Sequence, residues 1–348
     1  MSDTVTESST KRYLILAEGF SGDAHYGKTL RGVLRYRRES VVAILDTERA
    51  GTTQDGVPIV SSVSEAMQHE PDTALVGVAT QGGVFPADWQ ALLSSCVEAG
   101  LDLENGLHVR LRDVTGLAEL ASERRVALRD LREPPPDVST ATGANLDVAA
   151  TIVLTVGSDC AIGKMTATCE LDLEARRRGL RSVFVPTGQT GIAIAGWGIS
   201  VDAVVADFVA GAAERLVMEG GERGDLLWVE GQGAILHPVY SGVTLGLMHG
   251  SAPHLYVLCH EVGRDTIEGD ATNSPIPSLP ELVELHQRLS LPRRPAKVAC
   301  IALNTASVSE QDARVAIAAA EAETGLAADD PVRFGAATLV DRVISAIA

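Results

Sequence analysis

Lysine and net positive charge are what this sequence lacks most clearly. Only four of its 29 basic residues are lysine, and the formal net charge is −17. Nucleic acids bind to basic surfaces that neutralise their phosphates, so this charge balance excludes nucleic acid as an expected partner. Acidic, lysine-poor surfaces are typical of a high-salt cytoplasm, where salt screens the repulsion between carboxylates. We therefore expect a halophilic protein, with an ordinary acidic cytosolic enzyme as the alternative.

Paired cysteines and long apolar runs are absent as well. The five cysteines are scattered without any Cys-x-x-Cys pair, which fits a reducing compartment and offers no zinc framework. No apolar run approaches the length of a membrane span, and the opening residues MSDTVTESSTKR hold no apolar signal core. We therefore expect a cytoplasmic protein without a membrane partner.

What the sequence does contain is a strand, a loop and a helix arranged around a Gly-Lys pair. Residues 152–156 form an apolar, β-branched run typical of a buried strand, and residues 167–178 favour a helix. Loop amides, the positive end of the helix dipole and a lysine then converge on one point, which is the build of a phosphate-binding loop. The predicted cofactor-binding residues are Gly157, Ser158, Asp159, Cys160, Ala161, Ile162, Gly163, Lys164, Met165 and Thr166.

This loop departs from the standard phosphate loop in two ways. Five residues instead of four separate Gly157 from Gly163, and Met165 stands where Ser or Thr normally follows the lysine. Mg²⁺ prefers oxygen ligands, and a thioether is a poor one. Thr166 offers a hydroxyl, but about a third of a turn further round the helix. The sequence thus predicts phosphate binding and disfavours, without excluding, a bound Mg²⁺.

Strands alternate with helices along most of the chain, which predicts parallel sheets covered on both faces. The segment EPPPD at 133–137 is stiff, and the polar segment STATGANLD follows it, so we place a linker there. The predicted domains are 11–132, a Rossmann-like N-terminal domain, and 148–348, a P-loop NTPase-like doubly wound parallel sheet, joined by a Pro-rich linker at 133–147.

The pattern of the first domain resembles one mononucleotide-binding half of a Rossmann fold. A strand at 13–17, a loop with three glycines, a helix at 28–38 and a strand at 41–45 lead to Asp46. Further strands are predicted at 57–60, 74–79 and 125–130. Because the specific glycine fingerprint is missing, we interpret Asp46 as a strand-end cap, with a ribose ligand as the alternative.

Four loops of the second domain follow predicted parallel strands: 157–166, 186–191, 230–233 and 260–264. The carboxyl ends of such strands share one edge of a sheet, so the loops are expected to converge on one crevice. Glu230, His260 and Asp207 are the candidate catalytic residues, as carboxylates or an imidazole suited to general base chemistry. Candidate substrate contacts are Gln189, Thr190, Arg264 and Asn304, of which the arginine suits a carboxylate.

Histidines suggest no metal centre, because the spacings of His237, His249, His254 and His260 fit no common ligand pattern. We therefore expect no metal site built from them.

Several motifs resemble those of a two-domain P-loop family formerly of unknown function. They are GSDCAIGKMTATCELDLE, PTGQTGIAIAGWGISVDAVVADFVAGAAE, VEGQGAILHP, VLCHEVGRD and PAKVACIALNT, and the likeness runs from about Tyr13 to the C-terminus. That family contains D-glutamate N-acetyltransferases that use acetyl-CoA. The P-loop half is also similar to dethiobiotin synthetase, which has Thr at the position of Met165; that likeness implies phosphate binding by Lys164, with Thr166, Asp207 and Glu230 near metal or substrate.

The resemblance implies an enzyme that transfers acetyl from acetyl-CoA to the amine of an acidic amino acid, D-glutamate. The expected partners are small-molecule substrates and further copies of the chain. Two alternatives stay open: an ATP- and Mg²⁺-dependent ligase of the dethiobiotin synthetase type, and a non-catalytic sensor of nucleotide or CoA.

Overall fold

The computed structural model describes residues 11–347 with the exception of residues 24, 25 and 87. The chain divides between Glu133 and Pro134 into two compact units, and each unit is built around one sheet. Within the described ranges no helix is both long and apolar enough to cross a membrane.

The first unit is a seven-stranded sheet in the order β3-β4-β2-β1-β5-β6-β7. All recorded strand pairs are parallel except β3 with β4. Its elements in chain order are β1 (Tyr13–Leu16), α1 (Lys28–Tyr36), β2 (Val41–Leu45), β3 (Thr53–Gln54), β4 (Val57–Val60), α2 (Val63–Ala66), β5 (Thr73–Val76), α3 (Trp89–Glu98), β6 (Asp102–Asn105), α4 (Leu117–Arg124) and β7 (Leu128–Asp130). The predicted Rossmann-like arrangement is confirmed.

Strand β6 has a polar sequence, Asp-Leu-Glu-Asn, and no apolar period predicts a strand there. Its Glu104 is buried because Lys11, Arg129 and the Tyr13 hydroxyl all donate to the carboxylate. Paired in this way, a carboxylate tolerates a position inside a sheet.

Asp46 lies at the end of β2 and is buried. Its carboxylate accepts hydrogen bonds from the backbone N–H groups of Gly19, Ser21 and Glu48. The side chain thus holds the glycine-containing loop after β1 and caps the turn that follows β2. This geometry favours the capping interpretation over that of a ribose ligand.

The second unit is a six-stranded, fully parallel sheet in the order β13-β12-β11-β8-β10-β9. Its elements in chain order are β8 (Thr151–Gly157), α5 (Lys164–Arg177), β9 (Ser182–Val185), α6 (Gln189–Ala195), α7 (Val209–Arg223), β10 (Leu226–Val229), α8 (Ser241–Ser251), β11 (Leu255–Glu261), α9 (Leu279–Arg288), β12 (Lys297–Asn304), α10 (Glu310–Thr324), β13 (Ala327–Asp329) and α11 (Ala337–Ile347).

Two apolar clusters, one on each face, cover this sheet. Along β8, Ile152, Leu154 and Val156 belong to one cluster and Val153 to the other, as the alternation of side chains in a strand requires. The strand is mainly apolar because both faces are buried, and its buried Thr155 is hydrogen-bonded to the hydroxyl of Thr168. The doubly wound P-loop fold is therefore confirmed.

The predicted linker was 133–147, and all of it except Glu133 belongs to the second unit. The buried carboxylate of Glu214 on α7 accepts hydrogen bonds from the backbone N–H groups of Thr142 and Gly143. Arg215 forms an ion pair with Asp137. The segment is thus attached along α7 and follows the surface of that unit.

Helices α7 and α8 cross at very short range. A Cβ atom on Gly246 would lie 2.4 Å from Val209 Cγ1, and one on Gly250 would lie 2.1 Å from the carbonyl oxygen of Ala210. Glycine spaced by four residues on one helix face permits this approach. The sequence of α8 gave no clear helical prediction because its glycines disfavour a helix in isolation.

Candidate functional site

The phosphate loop joins β8 to α5, and its backbone explains the choice of glycine. Gly163 precedes the first residue of α5 with a φ of +101°, a conformation that L side chains rarely adopt. Ala161 also has a positive φ, of 53°. The turn directs the N-terminus of α5 at the loop, so the helix dipole favours an anion there.

Lys164 is the first residue of α5 and lies inside the loop. Its Nζ donates a 2.7 Å hydrogen bond to the carbonyl oxygen of Asp159, and only 6% of the residue is exposed. Burial lowers the pKa of this ammonium group. Among the contacts described, its one hydrogen bond is to neutral backbone, and an anion in the loop would supply a charged hydrogen-bond acceptor.

Glycines on the adjacent strands make room for the lysine. A Cβ on Gly157 would come within 3.3 Å of Lys164 Nζ, and one on Gly231 within 3.2 Å of Lys164 Cδ and 1.8 Å of the Thr155 carbonyl oxygen. The ends of β8 and β10 therefore approach more closely than any residue with a side chain would permit.

Glu230 follows β10 and is buried next to this lysine. Its Oε2 accepts hydrogen bonds from the backbone N–H of Thr187 (2.9 Å) and of Gly188 (3.2 Å). Burial raises the pKa of Glu230 to about 7, although these two N–H groups and Lys164 lower it; the negative charge of Asp202 adds to the rise. A carboxyl group with that pKa exchanges protons near neutral pH, as general base catalysis requires.

The surroundings hold Glu230 in a fixed orientation. Thr187 Oγ1 donates a 2.8 Å hydrogen bond to the Glu230 carbonyl oxygen, and Gln232 Nε2 donates to the Thr187 carbonyl oxygen. A Cβ on Gly191 would lie 2.4 Å from Glu230 Oε2. The glycines of the 186–191 loop thus leave space for a carboxylate, a requirement that the sequence alone did not reveal.

His260, near the end of β11, is hydrogen-bonded through Nδ1 to Ser158 Oγ at 2.9 Å. Burial lowers the pKa of this imidazole and so favours its neutral form. The pairing brings His260 to the phosphate loop, as the convergence of strand ends predicts. It also shows a partner, Ser158, that sequence spacing could not identify.

Arg264 was expected to hold a substrate carboxylate, but protein carboxylates already surround it. Its guanidinium contacts Asp159 (3.2 Å), Glu261 and Glu268 (2.8 Å). Asp159 Oδ2 also accepts a 2.8 Å hydrogen bond from the Glu268 N–H. These contacts attach the segment after β11 to the phosphate loop and favour a role for Arg264 in holding that loop.

Asn304 lies at the end of β12 and is also occupied. Its Nδ2 donates to the Ile162 carbonyl oxygen at 3.3 Å, and its Oδ1 accepts from the Ala306 N–H at 3.2 Å. This arrangement brings Asn304 to the phosphate loop and favours support of the loop over contact with substrate.

The other sequence candidates lie near the start of two helices. Gln189 and the buried Thr190 form the first turn of α6, directly after the Thr187 and Gly188 amides that bind Glu230. Asp207 is exposed in the short turn Ala206–Phe208, before α7. The acidic neighbour that affects Glu230 electrostatically is Asp202.

The residues at the usual P-loop Mg²⁺ position do not fit that ion. Met165 is the second residue of α5 and offers a thioether, and the Thr166 hydroxyl starts from the next position, about 100° further round the helix.

A different set, Asp159, Cys160 and His237, places one ligand atom each within 4.8 Å of one another. However, His237 Nε2 donates to the Glu268 carbonyl oxygen and its Nδ1 accepts from the Val239 N–H. Both ring nitrogens are therefore in use, and burial raises the pKa of the Cys160 thiol to about 11. The set does not offer a metal the deprotonated, unpaired ligands that it needs.

Comparison with known proteins gives consistent matches over both units. Residues 139–340 match the "Domain of unknown function (DUF1611_C) P-loop domain", and residues 46–134 match the "Domain of unknown function (DUF1611_N) Rossmann-like domain". The D-glutamate N-acetyltransferase of Tritonibacter scottomollicae is 39% identical over 285 residues, which covers 80% of this chain and 83% of that protein. The D-glutamate N-acetyltransferase of a Pseudoalteromonas species is 34% identical over 281 residues, with the same coverage of 80% and 83%.

A solved structure is also similar. The crystal structure of a DUF1611 family protein from Anabaena variabilis ATCC 29413 superposes with a TM-score of 0.88 at 40% sequence identity, covering 96% of this chain and 99% of that one.

Proposed function

Since the chain belongs to the DUF1611 family, we propose that it is an N-acetyltransferase that moves the acetyl group of acetyl-CoA to the amine of D-glutamate. The observation that carries the proposal is the name shared by the two curated relatives, each matched over 80% of this chain. The geometry of the second unit supports it in three further respects.

The first is the phosphate loop. Coenzyme A carries a pyrophosphate and a 3′-phosphate, and the loop offers the N-terminus of α5 and the buried Lys164 to such groups. Met165 in place of a hydroxyl residue suits a donor whose phosphates bind without Mg²⁺. We assign residues 157–166 to the donor on this basis.

The second is the base. The α-amine of an amino acid is protonated at neutral pH and attacks a thioester only after it loses a proton. Glu230 is buried and fixed by two backbone N–H groups, and its pKa of about 7 leaves it partly ionised at neutral pH. We assign it as the general base.

The third is the position of this base beside the loop. Lys164 Cδ lies against Gly231, the residue that follows Glu230, and the two charged groups interact, so we place the donor phosphates close to the base. The long arm of CoA must therefore fold back for its thioester to reach the amine.

In the proposed acetyl-transfer step, the amine nitrogen bonds to the acetyl carbon and Glu230 takes the proton from the nitrogen. The carbon–sulfur bond breaks and releases the CoA thiolate, which gains a proton and leaves as free thiol.

The test is a panel of acceptors and donors with the purified full chain. Acetyl-CoA with D-glutamate should give N-acetyl-D-glutamate by mass spectrometry, and at a higher kcat/KM than L-glutamate, D-aspartate or D-alanine. A product that forms only with ATP would instead establish the ligase alternative. Tight binding of CoA with no product from any acceptor would establish a sensor.

A further inference from the structure

A stretch without any charged residue begins directly after Glu230. From Gly231 to His260 the chain contains no Asp, Glu, Lys or Arg, although charged residues make up 22% of the whole sequence. The stretch thus differs from the rest of the chain, which carries a net charge of −17. Part of it is strand β11 and is buried, but Leu236 and residues 238–240 are exposed.

Three large apolar side chains of this stretch are exposed within five residues. Val239 is 69% exposed, Tyr240 51% and Leu236 43%. Helix α8 begins at the next residue and carries no charged side chain on any face. A surface helix normally presents charged residues to water, so an uncharged one is typical of a helix that is covered. We call Leu236, Val239 and Tyr240 the 236–240 surface.

The 236–240 surface is held in place and is not a loose loop. The Val239 N–H donates to His237 Nδ1 at 3.1 Å, and His237 Nε2 donates to the Glu268 carbonyl oxygen at 3.0 Å. The ring of Tyr240 packs on that of His237, with centroids 4.7 Å apart. The exposed apolar groups are therefore ordered before any partner binds, which lowers the entropy cost of association.

We propose that a second copy of this chain covers the 236–240 surface. Two copies that each carry a net charge of −17 repel each other wherever their acidic surfaces meet. In a symmetric dimer the same surface of each copy meets its equivalent across a two-fold axis. A patch that is apolar and carries no charge avoids this repulsion, so it is where two copies can form a stable contact. An exposed Tyr such as Tyr240 is also among the residue types that are enriched at interface centres.

A partner with a basic surface would be attracted to the acidic surfaces of this chain and would not select a patch without charge. The contact lies next to the donor site, since His237 has a ring nitrogen within 4.8 Å of a carboxylate oxygen of Asp159 and of Cys160 Sγ in the phosphate loop.

Sedimentation equilibrium of the full chain tests this proposal. The wild type should have twice the mass of the 36.5 kDa chain, and the dimer should persist or tighten in molar KCl, because salt screens the repulsion and leaves apolar contact intact. Val239→Asp and Tyr240→Asp should each raise the dimer dissociation constant by roughly 100-fold or more. Because both residues are largely exposed, the variants should keep the circular dichroism spectrum of the wild type.

Val315→Asp is the matched control, since Val315 is 63% exposed on α10; it should leave the dimer unchanged. A monomeric wild type would overturn the proposal, as would a dimer that both Asp variants leave intact or that dissociates in high salt. A monomer in which Tyr240→Ala weakens CoA binding would also overturn it and would assign the surface to the donor.

Discussion

Lys164 and Glu230 are two buried charged side chains of the candidate site, and both were candidates from the sequence alone. Lys164 was recognisable because its position in a strand-loop-helix unit has a physical meaning that does not depend on the rest of the fold. Glu230 was recognisable because it directly follows a buried strand. Their burial beside each other follows from the order of β8 and β10 in the sheet.

The sequence was less informative for residues whose roles depend on partners far along the chain. Arg264 and Asn304 were expected at the substrate, and both lie at the phosphate loop with their polar atoms already bonded. Which carboxylates or carbonyls a side chain meets is set by tertiary packing. No local pattern could have shown that Asp159, a loop residue, pairs with Arg264.

Lys164→Ala should weaken the binding of CoA by roughly 1.5–3 kcal/mol, the scale of a charge-assisted hydrogen bond. The fold should survive because the ammonium bonds only to the Asp159 carbonyl oxygen among the contacts described. Titration calorimetry with CoA measures the loss. Lys297→Ala, at the exposed start of β12, is the control and should bind CoA as the wild type does; equal binding by both variants would mean that the loop is not the donor site.

Glu230→Gln should lower kcat by about 10²–10⁴-fold, the usual contribution of a general base. Only the ionised carboxylate accepts a proton, so the wild-type rate should rise with pH through about 7, the pKa of Glu230, and then level off. In the glutamine variant this rise should disappear from the kcat profile. A variant that keeps both the rate and its pH dependence would assign the base to another group.

At the scale of elements, the strands and long helices with regular apolar patterns were predictable, whereas short or glycine-rich elements were not. Strand β6 is polar in sequence, β13 has only three residues, and α6 and α8 contain glycines that disfavour a helix. In each case tertiary contacts outweigh local propensity. The glycines of α8 are required by its crossing with α7, which no single-helix pattern reveals.

A pair of alanine substitutions in α8 tests that crossing. Gly250→Ala should destabilise the protein by roughly 1–3 kcal/mol, because the new Cβ would lie 2.1 Å from the Ala210 carbonyl oxygen. Gly242→Ala makes the same chemical change where no atom lies within 4 Å. It should be neutral or stabilising by up to about 1 kcal/mol. Urea unfolding monitored by circular dichroism measures both, and equal stability of the two variants would contradict the crossing geometry.

The phosphate loop as an element decides between metal-free donor binding and ATP chemistry. Met165→Thr places a hydroxyl at the position where P-loop proteins hold Mg²⁺. We expect this variant to gain Mg²⁺-dependent binding of ATP in calorimetry and to show no increase in the acetylation rate. A rise in acetylation that requires Mg²⁺ would show that the natural reaction uses the ion.

At the scale of the whole molecule, the acidic surface is the feature that composition predicts most directly. With a net charge of −17, the folded chain repels itself at low ionic strength. If the surface is adapted to a high-salt cytoplasm, the midpoint of thermal unfolding should rise steadily from low salt to molar KCl. A midpoint that stays flat over this range, measured by scanning calorimetry, would point to an ordinary acidic protein.

The division into two units and the parallel sheets also follow from patterns in the sequence, because alternating strands and helices leave few other arrangements. The attachment of residues 134–147 to α7 could not be predicted from such patterns, because it depends on the buried carboxylate of Glu214.

Metal-free acetyl transfer is tested most directly by the reaction of acetyl-CoA with D-glutamate in excess EDTA, with free thiol and N-acetyl-D-glutamate quantified in the same sample. We expect the rate to be unchanged by EDTA and one thiol to appear for each acetylated product, because in the proposed mechanism Lys164 and the loop amides bind the donor without a metal. Activity that EDTA abolishes and Mg²⁺ restores would contradict the metal-free site, and product formed without release of thiol would contradict acetyl transfer from CoA.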